Sequence, residues 1–65
     1  MEIIKTLQQL ADFINSEDYN QLVVNEVIKQ NGWEDLSADT YDVCAFNGRK
    51  VTLDENTAEA KVVDL

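Results

Sequence analysis

Apolar residues recur at helical spacing in the first half of the chain and alternate in the second. Leu7, Leu10, Ala11 and Ile14 fall on one face of a 3.6-residue helix, and Ile3 and Ile4 extend the stripe backward. Thr6 with Gln9 fits a capping box, in which the hydroxyl accepts from a free amide and the glutamine side chain reaches back. With that cap in use, Ile3 and Ile4 precede the helix as a staple or a short strand. Without it, the helix begins near Glu2. Gln8, Gln9, Asp12 and Asn15 are left facing water.

Asn15-Ser16-Glu17-Asp18 reads as a break and a restart, with Ser16 as the next N-cap and Glu17 and Asp18 in a first turn where the helix dipole favours negative charge. The second helix is expected to reach about Asn31, with Gly32 as its left-handed C-cap and Lys29 near its carbonyl end. Tyr19, Leu22, Val23, Val24, Val27 and Ile28 spread over more of this helix than one packing surface needs. Either the helix is the centre of the domain, or part of its apolar face waits for a partner.

Trp33 follows the cap and is expected to fold back onto the core, and residues 34–40 read as a polar, acidic connection. Asn47-Gly48 then separates the apolar-rich runs 41–46 and 49–53, the pattern of a two-residue type I′ hairpin whose central residues both take positive φ. In that register Cys44 faces Val51, Phe46 and Leu53 share their side, and Val43, Ala45 and Thr52 take the other. Asp54-Glu55-Asn56 suggests a second turn, and residues 60–65 supply a third strand through Val62 and Val63. The expected fold is α+β: two N-terminal helices packed on one face of a small three-stranded antiparallel sheet, ααβββ.

Composition narrows this picture. The 65 residues make one domain, and a chain of this size buries only roughly 60% of its unfolded surface. A hydrophobic fraction of 45% argues for a core nonetheless. Cys44 is alone, so no internal disulfide closes, and no Cys or His cluster holds a structural metal. A lone cysteine suits a reducing compartment, and residues 1–5 lack the basic region and apolar run of a signal peptide. The reading is a soluble, cytoplasmic protein with no membrane partner.

Catalytic chemistry finds little to work with. Without histidine there is no Ser-His or Cys-His pair, and Cys44 is expected on the core face as an inert thiol. Asp35, Asp39 and Asp42 lack the spacing and central glycine of a calcium loop, and the two glycines are accounted for by a cap and a turn rather than a phosphate loop. No enzyme activity, cofactor or metal is expected.

Charge is the informative feature. Thirteen Asp and Glu stand against five Lys and Arg, for a net charge of -8. Such a body repels phosphate backbones and attracts basic surfaces. From Lys5 to Lys29 the charges are Asp12, Glu17, Asp18 and Glu26; from Lys29 to Arg49 they are Glu34, Asp35, Asp39 and Asp42, with no base in either stretch. Arg49-Lys50 is the one basic spot, read as a guard against strand-edge aggregation. In composition alone the chain resembles small acidic inhibitors that imitate DNA.

Two functions follow as expectations. The first is a protein-binding module, an inhibitor or regulator docking on a basic, nucleic-acid-binding protein through Glu17, Asp18, Glu34, Asp35, Asp39 and Asp42, with Tyr19 or Trp33 as an aromatic anchor if either is exposed. The second is a self-associating structural protein, a homodimer formed through the second helix or the strand near Val62 and Val63.

Overall fold

The computed structural model describes residues 3–36 and 41–65. Helix α1 spans Leu7–Ile14, and its start is the expected capping box: Thr6 accepts from the Gln9 amide, while the Gln9 side chain accepts from the Thr6 backbone. Ile3 and Ile4 therefore precede the helix. Ile4 packs against the core and Ile3 is exposed.

Helix α2 spans Gln21–Asn31, starting later than the spacing predicts. Asn20, not Ser16, is its N-cap, with its Oδ1 accepting from the amides of Leu22 and Val23 at 2.9 and 3.3 Å. Ser16 is already engaged: its hydroxyl donates to the Phe13 carbonyl at 2.7 Å, closing the end of α1. Glu17 and Asp18 consequently lie in the connection, and the first turn of α2 holds no acid. Gly32 caps α2 at φ 70° as expected, with the Trp33 amide bonded back to the Ile28 carbonyl at 3.1 Å.

This cap reverses the chain and produces an element that polarity concealed. Residues Glu34–Asp35 form a short edge strand, β1, paired with β2, Asp42–Phe46; the Leu36 amide extends the pairing to Val43. With β3, Arg49–Leu53, and β4, Ala60–Asp64, the sheet is a four-stranded antiparallel meander in the order β1-β2-β3-β4, not three-stranded. Backbone pairing with β2 overrides the low strand propensity of Glu and Asp.

The β2–β3 hairpin turns at Asn47 and Gly48, with φ of 55° and 78°, and pairs Cys44 with Val51. A bulge between Asp42 and Cys44 breaks the alternation there, so Val43 packs against the core rather than on the opposite face. Asp54 holds the turn before β4: its carboxylate accepts from the amides of Asn56 and Thr57 at 2.8 and 3.1 Å.

Both helices bury their stripes on the Cys44–Val51 face. Leu7, Leu10 and Ala11 of α1 and Val24 and Ile28 of α2 meet Trp33, Cys44, Val51 and Ala60 in one cluster. Ala45 is buried outside that cluster, as its opposite facing requires. Asn15 is exposed, as expected, and also ties α1 to β4: its side-chain amide donates to the Ala60 carbonyl at 2.8 Å and accepts from the Ala60 amide at 2.7 Å.

Candidate protein-docking surface

Three ion pairs among the described residues sort the charges. Arg49 meets Asp64 at 3.3 Å, Lys50 meets Asp42 at 3.1 Å and Lys61 approaches Asp54 at 3.9 Å. All three bases stand on β3 and β4, each closed onto a nearby acid. Arg49 and Lys50 do not guard an edge, because β3 is an inner strand. Asp42 is a structural carboxylate: Thr52 donates to it at 2.8 Å and Lys50 grips its other oxygen. The Thr52 hydroxyl first, and Lys50 second, hold its carboxyl below the ordinary value.

The remaining candidates divide by position. Glu17 and Asp18 are exposed in the connection that leads into Tyr19, which is 46% exposed and donates its hydroxyl to Gln21 Oε1. Trp33 is 7% exposed and stacks at a tilt on Phe46, with ring centroids 6.4 Å apart, so it belongs to the core rather than to an anchor. Glu34 and Asp35 part company because strand neighbours face opposite sides: Glu34 sits in register with Ala45, and Asp35 with Cys44 on the core side. Asp39 lies outside the described residues.

Beside Asp35 the core is open. A groove of about 290 Å³ runs between α2 and the sheet, with Ile14, Val24, Ile28, Val43 and Leu53 as its apolar lining and Tyr19, Asp35 and Asp42 among its polar residues. Gln21 and Asn25 of α2 also line it, and a larger, more open continuation of about 630 Å³ reaches Lys29 and Trp33. Of the residues singled out from sequence, the fold thus gathers Tyr19, Asp35 and Asp42 at one opening. The wide apolar arc of α2 signalled Val24 and Ile28, but nothing in the pattern signalled Val43, because the bulge places it there.

Cys44, beneath this region, is fully buried. Burial first, and the charge of Asp35 second, push its thiol up to about 11, far from the thiolate range a nucleophile needs. Among the described residues no helix is long and apolar enough to cross a membrane. The chain matches no family model, no curated protein and no solved structure.

Proposed function

We propose that the chain is a small protein-binding module, an inhibitor or regulator, that presents its helical side to a basic protein surface. One observation carries this reading: the bases of β3 and β4 are each closed onto a local acid, while Glu17 and Asp18 stand exposed beside an exposed tyrosine. Residues 3–33 carry Asp12, Glu17, Asp18 and Glu26 against Lys5 and Lys29, and this modest acidic surplus steers a basic partner and sets register more than it adds raw affinity. A nucleic-acid-binding protein is the natural class of partner, since its groove is already built for anionic ligands. Trp33 and Asp42, engaged in the fold, take no part in this surface.

The test is capture from native lysate at low and high salt, comparing the natural chain with a Glu17→Lys/Asp18→Lys double variant and with Glu34→Lys. A partner that is lost with salt and lost again in the double variant supports the reading. Partners retained by every variant at every salt concentration refute it.

The alternative, a homodimer, draws on the outer edge of β4. Asn15 occupies the edge groups of Ala60, and by alternation those of Val62 and Asp64 point to the same open side. A charge of -8 on each copy opposes that pairing. Molecular mass in solution decides it: a salt-resistant dimer favours the alternative, and a monomer at all salt concentrations removes it.

A further inference from the structure

Two asparagines of this chain precede glycine, Asn31 and Asn47, and such a bond is the one most open to side-chain cyclisation, because glycine leaves its backbone amide unshielded. The fold treats the two oppositely. We propose that Asn47 is a deamidation site reached when the tip of the β2–β3 hairpin opens, and that Asn31 is locked against the same reaction. At Asn47 the Gly48 backbone nitrogen gives its proton to solvent base and bonds to Cγ, and the side-chain nitrogen leaves as ammonia. Water then adds to the succinimide and breaks one of its two C–N bonds, leaving aspartate or isoaspartate at position 47. The substrate is the chain itself, and the co-reactant is water.

Asn47 and Gly48 are exposed between exposed Phe46 and Arg49. Among the described residues no hydrogen bond holds the Asn47 side chain or the Gly48 amide. Only the turn restrains them. Its φ values of 55° and 78° make it type I′, which sets ψ of Asn47 at about +30°. The Gly48 nitrogen then stands anti to Cβ across the Cα–C bond, out of reach of Cγ, whereas cyclisation needs the two on one side. The chain therefore reacts through the open hairpin, at a rate set by the population of that form. No residue of the core cluster lies between Phe46 and Arg49, so this opening is local fraying of low free energy. At Asn31 both reacting groups are held. Its side-chain nitrogen donates to the carbonyls of Ile4 and Val27 at 3.0 and 2.9 Å, and the Gly32 amide is bonded back to the Lys29 carbonyl at 3.2 Å. Freeing them undoes the cap that leads into buried Trp33. The products at position 47 also differ. Aspartate suits the same turn as asparagine does, whereas isoaspartate adds a backbone carbon to a turn with room for two residues. That change breaks the bond from the Leu65 amide to the Gly48 carbonyl, now 2.9 Å, and keeps the hairpin from closing again.

The whole chain is held at pH 8, folded and in urea, and peptides covering each site are followed by mass for conversion of amide to acid. In urea the two sites should convert at similar rates. In the folded chain Asn47 should convert at least about tenfold more slowly than in urea, and Asn31 at least about tenfold more slowly again. Equal rates at the two sites of the folded chain, whether both measurable or both nil, overturn the proposal. A rate at Asn47 that folding leaves unchanged overturns it as well. The separated products give a second readout. The aspartate form should melt with the natural chain and the isoaspartate form below it; an isoaspartate form as stable as the natural chain overturns the turn geometry argued for Asn47.

Discussion

Asn15 is expected to be the most consequential polar residue of the domain, and its replacement by Ala tests how α1 is held to the sheet. Its side-chain amide acts as one residue of an additional strand, giving to and accepting from Ala60 across 45 positions of sequence. Two partly buried hydrogen bonds at about 1 kcal/mol each predict a loss of about 2 kcal/mol for Asn15→Ala. A domain of this size holds roughly 3–10 kcal/mol in total, and each kcal/mol moves its midpoint by about 4–8 °C, so the expected fall in Tm is about 8–16 °C. Urea unfolding followed by the fluorescence of Trp33, the single buried tryptophan, measures the change directly. Asn15→Asp adds a sign. Its carboxylate still accepts from the Ala60 amide but opposes the Ala60 carbonyl, so folding raises its pKa. Its deficit relative to the natural chain should shrink as acid protonates it and the new hydroxyl donates to that carbonyl. A loss below about 0.5 kcal/mol for Asn15→Ala, the level of an ordinary surface change, would refute the account.

The other expectations concern charge, backbone and thiol. The carboxyls of Asp42 and Asp54 are depressed in the folded state, so their contribution is present above the unfolded value and lost as pH falls through the folded one; the domain should weaken below about pH 4, and Asp42→Asn should flatten part of that acid limb in pH-dependent unfolding. Gly48 stands at φ 78°, and a β-carbon added there would meet nothing within 4 Å, so Gly48→Ala should cost about 1 kcal/mol in thermal unfolding from backbone conformation alone. Ala58, at φ 60°, is the converse: Ala58→Gly should be neutral to stabilising, by up to about 1 kcal/mol, in the same assay. Cys44, with its thiol raised to about 11, should resist alkylation at pH 8, where about a thousandth is thiolate, and react promptly once denatured. Rapid labelling of the folded chain would contradict the burial described for it.

Local chemistry was legible in the chain wherever one residue type has one strong use. The capping box at Thr6 and Gln9, the Gly32 cap and the Asn47-Gly48 turn each rest on backbone requirements that few residues meet, and each was found where the pattern placed it. Ser16 and Asn20 show where that legibility ends. Both are good N-caps, and the choice fell to Asn20 because Ser16 closes the preceding helix instead. Strand β1 shows the same limit from the other side, since Glu34 and Asp35 carry no strand signal and are paired only because β2 lies alongside. For the candidate surface, the sequence indicated an acidic chain with a surplus of apolar positions on α2, but not which acids are engaged.

Alternation, capping and turn chemistry, then, determined two helices, a hairpin and one core face carrying Cys44 and Val51, because these depend on neighbours within a few residues. Tertiary structure decided the fourth strand, the bulge that turns Val43 inward and the pairing of Asp42 with Lys50. Each of those joins groups from different elements, and a hydrogen bond or an ion pair between them depends on where the backbone brings them, a distance that no local pattern encodes.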